Sequence, residues 1–279
     1  MPVLLNNAAQ GRKDRVKGAP VRTPKAAEMQ YFRRLNELTN RLKDRTGLIT
    51  QLVRTDVPRA AVIEQVSRQI EQAEREFNAA ADAAVEAWAG NVSTQTKRRI
   101  ENTLKRALGA DTATILEGTA TREALDLAMA ENVALIRTIP QEHFTRVSRS
   151  ILAAYRGETF AEGSLTNRLA KIGNITKRRA QFIARDQTSD LVSDLNQIRQ
   201  QEVGIEGYLW RNSQDIRVVG RPGGTYPTGN RRHMDHWTRE GKFYRWDDPP
   251  SDGHPGKPIN CRCFAEPVIE RSKLNAVHV

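Results

Sequence analysis

The sequence predicts an α+β protein: a mainly helical N-terminal region followed by a small C-terminal α+β domain. Three observations predict it. Apolar residues recur at steps of three and four through most of the chain up to about Gly204. Beyond Gly204 short aromatic runs bounded by polar turns replace that period. Pro222, Pro227, Pro249, Pro250, Pro255 and Pro258 then rule out a regular helix, because each removes a backbone donor and fixes φ. With 38% hydrophobic residues over 279 positions the chain can bury one large core or two ordinary ones, which excludes general disorder.

The first element, residues 1–25, reads as a flexible basic arm. Arg12, Lys13, Arg15, Lys17, Arg22 and Lys25 stand there against Asp14 alone, within a chain of formal charge +11 and pI about 10. Such an arm suits phosphate contacts with nucleic acid, although a solvated terminus has the same composition. The helical region, 26–155, follows as the expected partner-binding part. Tyr31, Leu35, Leu38, Leu42 and Ile49 lie on one helical face until Gly47 and Pro58 interrupt it. Ile63, Val66, Ile70, Ala73, Phe77, Ala80, Ala84 and Ala87 predict a long amphipathic helix ending near Gly90 and packing within the chain as one arm of a hairpin. Further helices are predicted at about Ser93–Leu108, Thr121–Thr138, Pro140–Tyr155 and Ser164–Ile172. A last long one runs from Thr176, as N-cap, to near Gly204. Tyr208–Trp210, Lys242–Trp246 and Cys261–Val268 read as strands.

Candidate chemistry is concentrated between His233 and Cys263, which hold three of the five histidines, both cysteines and two of the four tryptophans. His233, His236, Cys261 and Cys263 form a donor set that tetrahedral zinc prefers, with His254 as a competing ligand and Asp215 as an outside one. One residue between the cysteines is fewer than the two to four usual in a chelating pair, and the alternative is a small packed core in which the thiols act as hydrophobes. The spacing also strains any bridge between the two thiols. A second reading makes His236 a general base, oriented by Asp235 or Asp215, with Arg217 or Arg262 holding a phosphate, although no complete nuclease motif accompanies it. Trp210, Trp237 and Trp246 are expected to be core rather than base-stacking platforms.

The run Tyr208-Leu209-Trp210-Arg211-Asn212-Ser213 with Asp215 and Arg217, then His236, Gly241, Phe243, Trp246-Asp247-Asp248-Pro249-Pro250 and Pro255-Gly256-Lys257-Pro258-Ile259-Asn260-Cys261-Arg262-Cys263, resembles the C-terminal domain of the phage Mu F-like minor head proteins, the phage head morphogenesis family. Ala184-Arg185-Asp186-Gln187-Thr188-Ser189 through Leu195-Asn196 resembles its lead-in. The family commonly has a short step from the Arg217 region to the histidine, and here Val218–Asp235 intervene. The resemblance implies a head morphogenesis domain over 156–270, with 271–279 as a tail. It implies a non-enzymatic virion protein that binds the portal protein and major capsid protein during procapsid assembly, contacts packaged phage DNA, and resides in the capsid interior or at the portal vertex after assembly in host cytoplasm. A phage-delivered nuclease or other effector enzyme built on His236 is the alternative. No secretory signal and no membrane span is expected, since no window approaches the length of apolar residues a span requires.

Overall fold

A computed structural model describes residues 15–53, 58–108, 118–225 and 236–270. Four long helices lead the chain: α1 (Lys25–Val53), α2 (Arg59–Leu108), α3 (Thr119–Tyr155) and α4 (Leu165–Glu202). A short α5 (Ile216–Val219) and strands β1 (Arg15–Lys17), β2 (Gly207–Arg211), β3 (Phe243–Arg245) and β4 (Phe264–Glu270) complete it, and the expected α+β class holds. No described helix is long and apolar enough to cross a membrane.

Several predicted helix breaks are absent. Gly90 lies inside the 50-residue α2, because a single glycine costs only about 1 kcal/mol against alanine while Trp88, Ala89, Val92 and Ile100 continue the buried stripe through it. Pro140 lies inside α3, not at a helix start. Ile136, Ile139 and Phe144, each at most 1% exposed, bury enough apolar surface around it to offset the lost hydrogen bond. Thr176 is no N-cap. Leu169, Ile172, Thr176, Ala180 and Ile183 are all buried at helical spacing, and the Thr176 hydroxyl donates back to the Ile172 carbonyl at 3.0 Å.

The chain divides into two compact units that interleave in sequence. One comprises Glu28–Trp88 and Met129–Arg185 and is all helical. Its core holds Tyr31 stacked on Trp88 at 4.9 Å, with the Tyr31 hydroxyl donating to Asn132 Oδ1 at 2.8 Å. It also holds His143, whose ring nitrogens face the hydroxyls of Thr46 and Thr176 at 2.8 Å each. Burial keeps this imidazole neutral and lowers its pKa from 6.5 to about 4.

The other unit comprises Met1–Ala27, Ala89–Ala128 and Asp186–Val279. It carries an antiparallel sheet of order β1-β4-β2-β3, in which Gly207 pairs with Val268 and Arg211 with Phe264. A side chain at Gly207 would strike the Tyr244 carbonyl of β3. The predicted flexible arm is therefore corrected for residues 15–25. Arg15–Lys17 pair with Val268–Glu270 as an edge strand, Gly18 N–H donates to the Pro267 carbonyl at 2.8 Å, Val21 is 1% exposed, and α1 begins at Lys25. The domain boundary at 156 is corrected as well, because residues 156–185 belong to the helical unit while 15–27 and 89–128 belong to the unit that carries the sheet. The second half of α4 supplies the floor beneath that sheet: Gln200 Oε1 accepts the Trp246 indole N–H at 3.0 Å, and Arg199 donates to the Ser93 carbonyl and hydroxyl at 3.0 and 2.7 Å.

Candidate metal centre

Three loops of the sheet unit converge behind β2. His236 stands on a turn locked to that strand by two backbone bonds of 2.8 Å, Gly241 N–H to the Trp210 carbonyl and Trp210 N–H to the Lys242 carbonyl. Asp252 comes from a turn closed by Gly253 N–H on the Pro250 carbonyl at 2.8 Å, with Gly253 at φ 98°. Cys261 follows a turn in which its N–H reaches the Pro258 carbonyl at 2.8 Å and Asn260 takes φ 64°. From there the chain is extended into β4. Cys261 and Cys263 consequently point to one side, and Arg262 turns to the other to meet Asp215 Oδ2 at 2.9 Å.

His236 Nδ1 lies 3.6 Å from Cys261 Sγ and 3.5 Å from Cys263 Sγ, and the three donor atoms sit within 4.8 Å of one another. His236, Cys261 and Cys263 are at most 2% exposed. Zn–S bonds of about 2.3 Å and a Zn–N bond of about 2.0–2.1 Å set tetrahedrally give N···S edges of about 3.5–3.6 Å. The two N···S distances and the donor chemistry are compatible with that ion and equally with hydrogen bonds between ring and thiols. The single intervening residue is no obstacle here, because alternation along an extended segment aligns the two sulfurs.

The surroundings orient the donors. His236 Nε2 meets Asp252 Oδ2 at 2.9 Å, and Asp252 Oδ1 accepts from Arg239 Nη1 at 2.7 Å. The Arg239 guanidinium lies over the Trp210 ring at 4.8 Å, and that ring meets His236 edge-on at 4.9 Å. This is the carboxylate–imidazole arrangement that fixes a metal-binding ring and raises its basicity. Backbone N–H groups face the sulfurs: Gly256 and Cys263 on Cys261, and Ser213 on Cys263. Gly256, at φ 100°, admits no side chain, since a Cβ would meet the Ser189 carbonyl at 2.8 Å.

Without a metal the two thiols are driven apart in acidity. Burial pushes the Cys261 thiol up, but the hydrogen bond from Cys263 and the adjacent His236 outweigh it and bring its pKa well below the usual thiol value. Cys263 is pushed up by its bond to Cys261 and by burial, so it stays a thiol and donates. For His236 burial works downward, yet Cys261 and Asp252 raise its pKa overall. Burial likewise pushes Asp252 up, and His236 and Arg239 bring it down. The groups stand in the order thiol, imidazole, carboxylate. This is the order of a cysteine hydrolase, but the sulfur and the ring are closed to substrate, and both ring nitrogens are engaged.

His236, Cys261 and Cys263 are thus brought together as expected. His233 lies outside the described residues, as do Asp235, Arg12 and Lys13. His254 is elsewhere: its Nδ1 meets the Tyr208 hydroxyl at 2.9 Å and its ring packs edge-on against Trp246. Asp215 is held by Arg262, and Trp210 and Trp246 are core. Of the basic residues proposed for nucleic acid, Arg15, Lys17, Arg22 and Lys25 are all exposed, with Arg15 over the Phe243 ring and Arg22 over the Phe264 ring. Asp252, Arg239 and the sulfur-facing N–H groups were not among the sequence candidates. The His236–Arg239 spacing on one turn was the sole local signal.

No family model matches the chain, and no solved structure matches it. A Haemophilus influenzae (strain ATCC 51907 / DSM 11121 / KW20 / Rd) protein described as uncharacterized is 27% identical over 287 residues, which cover 97% of this chain. The chain spans 59% of that relative's length. The similarity thus runs through both units and is not confined to the metal-like cluster.

Proposed function

We propose that this chain is a minor head protein of a tailed phage or prophage, that a single zinc ion staples its sheet unit, and that it acts by binding rather than by turnover. The observation that carries the reading is the closed His236–Cys261–Cys263 cluster with its Asp252–Arg239 support. Structural zinc sites are enclosed and take four protein ligands; three donors are gathered here, and His233, the fourth expected ligand, lies outside the described residues. Here the described donors are buried. The two cysteines belong to one apolar cluster with Tyr208, Trp210, Val219, Trp246 and Ala265, so an ion held there would tie the flanking loops to that cluster.

The head morphogenesis part rests on the resemblance over residues 156–270. Its support is that the residues carrying the pattern, Trp210, His236, Trp246, Cys261 and Cys263, are those that build one core. Purified protein should be captured separately by immobilised portal protein, major capsid protein and duplex DNA, each from the same phage or prophage. Retention on portal is the expected result. Retention on neither portal nor capsid protein would reject the assembly role, and hydrolysis of the DNA by the protein would favour the effector-nuclease reading instead.

A further inference from the structure

The turn between α3 and α4, in the all-helical unit and remote in sequence from the cysteine cluster, encloses a cavity of about 500 Å³ lined mainly by polar atoms. Arg146 and Arg149 from α3 and Arg168 from α4 line it, with Arg156, Glu158 and Glu162 from the turn. Arg146 and Arg149, at i and i+3, share one face of α3, and Arg156 lies just past the helix end.

The carboxylates present are already used. Glu158 takes Arg156 at 2.7 Å, and Glu162 takes Lys171 at 2.7 Å and Arg168 at 3.0 Å. Lys171 and Arg168 hold the Glu162 carboxyl down to about 2. Arg146 and Arg149 are exposed and have no carboxylate partner among the described residues. Neighbouring like charges on one helical face oppose folding, so the pair is held there at a cost that an anionic ligand would relieve.

The cavity is also preformed. α3 closes in a Schellman motif, with Glu158 N–H on the Ala153 carbonyl and Gly157 N–H on the Ala154 carbonyl at 3.0 Å each, and Gly157 at φ 76°. Ser164 caps α4 by accepting the Asn167 N–H at 3.2 Å, and Gly163, at φ 79°, sets the turn before it. Both walls therefore stand before any ligand arrives.

We propose that this arginine-lined cavity binds the phosphodiester backbone of duplex DNA. Guanidinium forks match phosphate oxygens in pairs, and the two adjacent exposed guanidinium groups of Arg146 and Arg149 can meet neighbouring phosphates of a duplex that carries one charge per ~1.7 Å of axis. An acidic protein surface is the lesser fit, because a protein interface needs an apolar or aromatic centre and the lining offers little beyond Phe160 and two alanines. The site is independent of the zinc staple and of the portal reading.

The test is binding of a 20-base-pair duplex to the full chain as a function of salt, for wild type, for Arg146→Gln/Arg149→Gln, and for Arg33→Gln/Arg34→Gln. The last pair is exposed on α1 and changes the net charge equally. If each cavity arginine neutralises one phosphate, the log–log salt slope should become shallower by about 1.8 and affinity at 0.1 M salt should fall roughly 60-fold. The α1 variant should lose far less. Equal losses in the two variants would mean that only net charge matters, and no loss in the cavity variant would also overturn the site. Poly-glutamate displacing DNA more strongly than competitor DNA of equal charge would assign the cavity to an acidic protein and refute the proposal. Should the double variant melt below wild type, Arg146→Gln alone, with an expected slope change of about 0.9, decides in its place.

Discussion

Replacing Asp252 with asparagine tests the cluster where sequence reading did not reach. The substitution keeps the side-chain shape and removes one charge. Two partners are affected: His236 Nε2 at 2.9 Å and the largely buried Arg239 at 2.7 Å. Loss of the carboxylate behind a ligating histidine typically weakens metal binding 10–100-fold, about 1.4–2.8 kcal/mol. Asp252 is partly exposed, so water takes up some of the loss at Arg239, and the cost to folding should be about 1–3 kcal/mol rather than that of a fully buried pair. Zinc affinity is read by competition with a chromophoric chelator, and folding by thermal melting with and without zinc. A variant that binds zinc as tightly as wild type would show that Asp252 does not orient His236. A variant that melts lower in chelator but keeps its zinc affinity would limit Asp252 to holding the turn through Arg239.

Other outcomes follow from the same geometry. His143 has its folded pKa depressed to about 4 from 6.5, so the unfolded chain binds more protons between those values. Stability is then full above pH 6.5 and falls as pH drops toward 4, by about 3 kcal/mol in all; His143→Gln should flatten a plot of melting temperature against pH across that window. Removing 1–25 deletes β1 and buried Val21 and should cost at least about 2 kcal/mol, seen as an earlier transition in the same melt. A fragment beginning at residue 156 lacks 15–27 and 89–128 of the sheet unit, and its amide NMR spectrum should show the narrow dispersion of an unfolded chain.

The strands at Tyr208–Trp210 and Phe243–Arg245 were legible because aromatic runs between turn residues have few other structures open to them. Cys261 and Cys263 were legible as ligand types, but their alignment depends on extended backbone that the spacing alone does not specify. Helix junctions were read too readily at Gly90, Pro140 and Thr176. Each is a local cost of a few kcal/mol at most, and the buried stripes that outweigh it become visible only with their packing partners. β1 was missed for the opposite reason. Arg15-Val16-Lys17 is short and charged, and β4 supplies the pairing that makes it a strand. Asp252 carries no local signature and Arg239 only its spacing from His236, because their role arises from the meeting of separate turns.

Zinc content of the full chain, purified without added metal and without a polyhistidine tag, tests the central claim most directly. Elemental analysis should find about one zinc per chain, and X-ray absorption at the zinc edge should show two sulfur ligands near 2.3 Å with nitrogen near 2.0–2.1 Å. Cys261→Ser should lose the ion and lower the melting temperature of the sheet unit. A folded, metal-free wild-type protein that neither takes up zinc nor melts higher in its presence would contradict the account, and would leave His236, Cys261 and Cys263 as a hydrogen-bonded core alone.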